Sequence, residues 1–284
     1  MTPIVYLSGQ YLPKDAARIS PEDRGFVFGD GIYEVIRSYD GALFALDAHL
    51  ARMHRGVCEV AISGVDVERV GEVAAELLRR NELTTGDATV YVQITRGAAT
   101  RTHFFPDPAI PPTVYAQAAR FSPKADPATG VATITVPDIR WARCDIKTVQ
   151  LMPNVLANQR AHAAGVAEAL FVRDGVVLEG SHSSLFVVFG KEVRTAPKTN
   201  YILPSITRDV VLELCRQDGI AARETPVFAQ ELSRASEAFL AGTTVEVMPI
   251  VQIDGITVGG GAPGPVSRRL QELFRARVTR DCGL

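Results

Sequence analysis

Lysine is scarce in this chain, and one lysine stands apart from the rest. Of 30 basic residues only five are Lys, at 14, 124, 147, 191 and 198. Four lie in polar or proline-bearing stretches that read as surface turns. Lys147 instead sits among apolar neighbours, with Ile146 before it and Val149, Leu151 and Met152 after it, in the stretch VPDIRWARCDIKTVQLMPN. An ammonium facing a low-dielectric pocket is disfavoured as a cation, which frees the amine as a nucleophile or proton carrier. The local sequence fits equally a surface lysine whose stem runs past apolar side chains to reach water.

Other stretches could supply partners. Thirty-two residues on, in LEGSHSSLFVV, Glu179 ends a strand and is followed by small polar residues, including Ser181, with His182 among them. It reads as a carboxylate aimed at a ligand or as a hairpin-edge glutamate. In ILPSITRDVV a helix begins after Ser205, and its first N–H groups, at Ile206 and Thr207, form either an anion site or an ordinary helix start. In AGTTVEVMPI, Thr243 and Thr244 place two hydroxyls in a turn between strands. TRGAATRTHFFPDP, residues 95–108, carries Arg96, Arg101 and His103 on a loop; a guanidinium fork suits a carboxylate. Phe104 and Phe105 on the same loop suggest that it packs against something, such as a second subunit. Together these are a nucleophilic lysine, a carboxylate, a phosphate cradle and a carboxylate clamp. That set suits an enzyme using pyridoxal 5′-phosphate on an amino acid.

The elements that must position these residues alternate short strands with helices. Strands are expected at Ile4–Leu7, Tyr33–Tyr39, Ala88–Thr95 and Thr113–Gln117. Asp40-Gly41 marks a hairpin back through Ala42–Ala45. Asp47 is expected to cap a helix to Val60, and Val70, Val73, Ala74, Leu77 and Leu78 line one face of a helix over Val67–Asn81. Beyond the Pro- and Gly-bearing segment 119–130, strands are expected at Ala132–Pro137, Ala169–Arg173, Val176–Leu178, Leu185–Phe189, Glu192–Thr195, Ala238–Ala241 and Val245–Ile253. Helices are expected from Pro153, Ser205 and Pro265. The reading is a mixed α+β protein with antiparallel-rich sheets: a domain over 1–118, a linker over 119–130, and a larger domain over 131–284 carrying Lys147.

Composition bounds the partners. A 284-residue chain with 46% hydrophobic and 22% charged residues can bury a full core. A net charge of −2 argues against nucleic acid. The four cysteines, Cys58, Cys144, Cys215 and Cys282, form no metal- or redox-type pair and fit reduced thiols in the cytoplasm. No stretch reads as a signal peptide or a membrane span.

Five segments in this order and spacing resemble the fold-type IV pyridoxal-phosphate enzymes, the aminotransferase class IV family, and within it the D-amino acid aminotransferases: RGFVFGDGIYEV (24–35), DIRWARCDIK (138–147), LEGSHSSLF (178–186), ILPSITRDVV (202–211) and TTVEVMPI (243–250). The resemblance implies a two-domain architecture with the cofactor held between the domains. It implies Lys147 as the Schiff-base lysine and Glu179 as partner of the pyridine nitrogen. Arg52, Ile206, Thr207, Thr243 and Thr244 would hold the phosphate, and Leu203 would pack on the ring. Arg140 would support the site from behind. Tyr33, Arg101 and His103 match the carboxylate trap, with Ser181 and His182 beside the substrate. His182 and Thr243 depart from the small hydroxyl residue and the serine that the family pattern has there. The implied reaction is ping-pong transamination between a D-amino acid and a 2-oxo acid, in a homodimer whose 96–105 loop reaches the neighbouring site. Alternatives sharing the lysine and glutamate motifs are an (R)-selective amine aminotransferase, a branched-chain L-aminotransferase and an aminodeoxychorismate lyase. Outside catalysis the alternatives are a protein that binds the cofactor without turnover and a sugar-phosphate binder.

Overall fold

The structure is a computed structural model that describes residues 2–284; Met1, where the expected first domain begins, lies outside the described residues. It divides into two compact units. The first takes the chain up to Ser122 together with Ile146–Gln150 and Arg280–Leu284, and the second takes Pro123–Asp145 and Leu151–Thr279.

The first unit is built on β1 (Ile4–Leu7), β2 (Gln10–Pro13), β3 (Gly31–Tyr39), β4 (Ala42–Leu43), β5 (Asp87–Thr95) and β6 (Thr113–Arg120). They form one antiparallel sheet in the order β2-β1-β6-β5-β3-β4. Alternation along β5 buries Ala88, Val90, Val92 and Ile94 on one face. Against that face pack α2 (Leu46–Glu59), through Leu50, Met53 and Val57, and α3 (Glu68–Arg80), through Val70, Val73, Ala74, Leu77 and Leu78. Asp47 does not cap α2 as expected. Ala45, in the left-handed region at φ 52°, is the N-cap without a side-chain bond, and Asp47 lies in the first turn, where its charge favours the helix N-terminus. A short helix, α1 (Arg24–Phe28), was not legible in the sequence. Asp23 caps it, its Oδ1 accepting from the Gly25 N–H at 2.8 Å, and Gly29 ends it at φ 67°.

The second unit holds a ten-stranded sheet: β7 (Val131–Pro137), β8 (Glu168–Arg173), β9 (Val176–Gly180), β10 (Ser184–Phe189), β11 (Glu192–Thr195), β12 (Ala222–Glu224), β13 (Val227–Phe228), β14 (Glu237–Gly242), β15 (Glu246–Ile253) and β16 (Ile256–Thr257). Its order is β12-β11-β10-β14-β15-β7-β8-β9-β13, with β16 on β15. Hairpins dominate, yet the β15–β7, β7–β8 and β11–β12 pairs are parallel. The β7–β8 crossover is α4 (Met152–Ala163), which buries Ala157 and Ala161 against Val136, Ala169 and Phe171. α5 (Ile206–Gln217) buries Val210, Val211, Leu214 and Cys215, and α6 (Pro265–Cys282) buries Leu270, Phe274 and Val278. Phe186 and Phe239 stack across β10 and β14 at 4.9 Å, a pair worth roughly 0.5–1.5 kcal/mol beyond its buried area.

Candidate active site

The segment carrying Lys147 groups with the first unit, not with the second as expected. After β7 the chain returns to the first sheet and hydrogen-bonds to β3. The Tyr33 N–H donates to the Lys147 carbonyl at 2.9 Å, the Val149 N–H to the Gly31 carbonyl at 3.1 Å, and Ile32 bridges Thr148. Ile146 joins the first unit's core. Gly29 leaves room for this return: a Cβ there would lie 2.7 Å from Cγ of Gln150. Lys147 is half-buried, and its Nζ stands 4.3 Å from the centroid of the Tyr33 ring, which stacks in turn on Tyr91 at 5.7 Å. Its amine thus stands against an aromatic wall.

The neighbour of Tyr33 on β3, Glu34, points to the opposite face of the sheet and is fully buried. Arg52 of α2 grips it with two bonds, Nε to Oε1 at 2.7 Å and Nη2 to Oε2 at 2.8 Å, and Nδ1 of His49 lies 2.8 Å from Oε2. Burial alone would raise the Glu34 carboxyl, but the charge and hydrogen bond of Arg52, with His49 added, bring it down to about 2. Burial lowers His49, and Glu34 opposes that. Glu34 and His49 were missed in the sequence. The available signal was spacing: His49 and Arg52 fall at i and i+3, one face of a helix.

Arg101 and His103 are exposed, and both meet the Phe28 ring. The Arg101 guanidinium lies 5.1 Å from its centroid and the His103 ring 5.7 Å.

In the second unit, Glu179 lies near the end of β9 with 6% exposure. Nη1 of Arg140 donates to Oε1 at 2.5 Å, and the Leu203 N–H lies 3.2 and 3.1 Å from the two oxygens. Arg140 divides itself. Its Nε and Nη2 bond Asp138 at 2.9 and 3.0 Å, and Nη2 also reaches the Tyr201 carbonyl at 3.1 Å. Arg173 also binds Asp138, its Nε donating to Oδ2 at 3.2 Å, and donates to the Arg140 carbonyl at 2.8 Å. Burial therefore wins at Glu179 and pushes its carboxyl up to about 7, against the opposing pull of Arg140 and Leu203.

After Glu179 the chain turns over a second buried carboxylate that sequence reading passed by. Glu168 accepts from the His182 N–H at 2.7 Å, the Ser183 hydroxyl at 2.9 Å and the Ser181 hydroxyl at 3.3 Å. Nδ1 of His182 lies 3.1 Å from the Ser181 hydroxyl and 3.2 Å from Glu168, and its side chain is 44% exposed. Gly180 is required here, because a Cβ would collide with Glu168 and Ser183. The same turn borders Gly242, just before Thr243 and Thr244 in the β14–β15 turn. Ser205 caps α5 as expected, accepting from the Arg208 N–H at 3.3 Å. Helix geometry leaves the Ile206 and Thr207 N–H groups without intrahelical acceptors. Each unit thus gathers its own set: Lys147, Tyr33, Arg52, Arg101 and His103 in the first; Glu179, Arg140, Leu203, Ser181, His182, Ile206, Thr207, Thr243 and Thr244 in the second. Among the described residues no three His, Cys, Asp or Glu side chains gather as a metal site, and no helix is long and apolar enough to cross a membrane.

Known proteins are similar to this chain in sequence and fold. The chain is 41% identical over 276 residues to a D-alanine aminotransferase of Staphylococcus haemolyticus, covering 96% of this chain and 97% of that one. It is 39% identical over 279 residues to one of Bacillus licheniformis, covering 98% of each. A solved structure of a T.th. branched-chain amino acid aminotransferase with pyridoxamine 5′-phosphate superposes with a TM-score of 0.89 at 26% identity, covering 100% of this chain and 95% of that one. The amino-transferase class IV profile matches residues 31–253, and the chain belongs to that family.

Proposed function

We propose that this enzyme is a pyridoxal 5′-phosphate-dependent transaminase that exchanges the amino group between a D-amino acid, of the D-alanine or D-glutamate type, and a 2-oxo acid. The observation that carries this is the nearly full-length match, at 41% and 39% identity, to D-alanine aminotransferases. The donor set fits the cofactor. A buried carboxyl with a high proton affinity, as at Glu179, suits a pyridine nitrogen that must stay protonated. A 12-residue helix beginning at Ile206 and the hydroxyls of Thr243 and Thr244 suit a phosphate, as does Arg52. Leu203, whose backbone N–H fixes Glu179, offers its side chain to the ring. When bound, the cofactor supplies the electron sink for the pair left at the substrate Cα.

The chain's own residues do the rest. Lys147 would hold the cofactor through its amine, and its Nζ, when free, would carry the proton taken from the substrate Cα. Tyr33, Arg101 and His103 bind the substrate carboxylate and so select which Cα hydrogen faces Lys147. Ser181 and His182 border the substrate side chain. Arg140 keeps Glu179 in place from behind. The enzyme works as a homodimer whose 96–105 loop serves the neighbouring site; Phe26, Phe104 and Phe105, exposed by 78%, 73% and 52%, support a covered face in this region. Four unpaired cysteines support a cytoplasmic location.

The test is to mix the purified yellow enzyme separately with D-alanine, L-leucine and an (R)-arylalkylamine and to follow the cofactor's absorbance. D-alanine should bleach it fastest, and Lys147→Ala should have no turnover. Faster bleaching by L-leucine, or by the amine alone, would overturn the D-amino acid reading, and turnover by Lys147→Ala would overturn the role of the lysine.

A further inference from the structure

The motif RGFVFGDG precedes Tyr33 and supplies none of the residues assigned above, yet it contains a buried arginine and an acid. The structure gives them a task. Asp30 accepts from two arginines: Nε of Arg24 at 2.8 Å, and Arg96 through Nε at 2.8 Å and Nη2 at 3.0 Å. Each arginine then holds part of the loop that carries the clamp. Nη1 of Arg24 donates to the carbonyl of Thr102, the residue between Arg101 and His103, at 2.8 Å. Arg96 stacks on Phe105 at 3.6 Å and holds the carbonyls of Val60 and Ala61, both at 2.7 Å.

The backbone completes the attachment. The Arg24 N–H donates to the Gly97 carbonyl at 2.9 Å, the Arg96 N–H to the Asp30 carbonyl at 3.1 Å, and Asp23 bridges Ala98. At the end of α1, the half-buried Phe28 ring receives Arg101 at 5.1 Å, His103 at 5.7 Å and Arg24 at 4.8 Å. Arg101 and His103 are themselves exposed, and an exposed arginine has several freely rotating bonds. Without a platform, the two would lose considerable freedom on gripping a carboxylate, and that loss weakens binding.

We propose that Arg24, Phe28 and Asp30 are positioning residues for the carboxylate clamp: Arg24, oriented by Asp30, pins the backbone at the centre of the Arg-x-His segment, and Phe28 pre-orients both clamp side chains on one ring. This rests on the reading of Arg101 and His103 as the substrate-carboxylate trap. It assigns the α1 motif to substrate affinity rather than to the proton transfer at Lys147.

The test uses the holoenzyme and steady-state kinetics with D-alanine. Phe28→Leu should raise KM about tenfold while kcat at saturation stays within about twofold, the pattern of lost uniform binding. Arg24→Lys keeps the charge beside Asp30 but loses the fork that reaches Thr102, and should raise KM less, with an unchanged melting temperature. A role confined to folding predicts the same penalty in any background. The inference predicts that Phe28→Leu changes KM by less than about twofold in an Arg101→Ala/His103→Ala enzyme, because coupled residues are not additive. Wild-type KM in both Phe28→Leu and Arg24→Lys, or an undiminished Phe28→Leu effect in the clampless background, overturns the inference while the clamp reading stands. Wild-type KM in Arg101→Ala/His103→Ala overturns the clamp reading itself, and this inference with it.

Discussion

Each unit buries a glutamate against an arginine, and the two glutamates end far apart in proton affinity. Glu34 is held down to about 2 and Glu179 is pushed up to about 7. Burial opposes the charged form in both. What differs is how many bonds each carboxylate receives. Arg52 turns its fork on Glu34 and His49 adds a bond, whereas Arg140 offers Glu179 one nitrogen and commits two others to Asp138. The carboxylate that receives more charged bonds stays a fixed anion, and the one that receives fewer holds a proton more readily. The first holds Arg52 in place, and the second suits a partner for a protonated ring nitrogen.

The sharpest way to break this contrast is Glu34→Gln. A glutamate lowered from 4.5 to about 2 stabilises the fold by about 3 kcal/mol at pH 7, at about 1.36 kcal/mol per pKa unit. That stability is present above pH 4.5 and is lost as pH falls towards 2. The variant should therefore lose about 3 kcal/mol in denaturant titrations at pH 7 and much less at pH 3. An equal loss at both pH values would show that packing, not charge, holds this cluster.

Glu179→Gln should run the other way in the cofactor-free protein. With its folded value raised from 4.5 to about 7, wild-type Glu179 costs nothing below pH 4.5 and destabilises increasingly up to pH 7. Relative to wild type, the glutamine variant should gain about 2 kcal/mol between pH 5 and pH 8. A flat difference would mean that Arg140 keeps Glu179 ionised throughout. The smallest effect is expected from Asp138→Asn, which returns more of Arg140 to Glu179. The pH at which the loss of stability levels off, set by the folded value, should then move down from about 7, and an upward move would show that sharing with Asp138 does not raise Glu179.

Parts of the second unit were legible in order along the chain. Glu179 at a strand end and Ser205 at a helix start are local signals, set by alternation and capping, and local signals survive into the fold. What was illegible needed distance. Glu34 reads as one more polar residue in an alternating strand, and only α2 packing on β3 shows that the face it occupies carries Arg52. Glu168 opens β8 like any solvent-facing acid, and its burial depends on the 181–183 turn folding over it. The Asp47 cap failed because Ala45 takes the left-handed turn first, a backbone choice that no side chain advertises. The parallel β7–β8 pair follows from α4 being a crossover, although each strand alone looks like half of a hairpin. Lys147 was identified from its apolar neighbours, and the same neighbours hid its affiliation: Ile146 is apolar because it belongs to the first unit's core.

The return of Ile146–Gln150 to β3 has a consequence for how the chain is made. The first unit's sheet strands are all synthesised by Arg120, but the segment bonded to Gly31 and Tyr33 emerges only after Pro123–Asp145, which belongs to the second unit. A growing polypeptide folds from its N-terminal end as it leaves the ribosome. This one must wait, with the Gly31 carbonyl and the Tyr33 N–H unmet, until part of its second unit has already been translated.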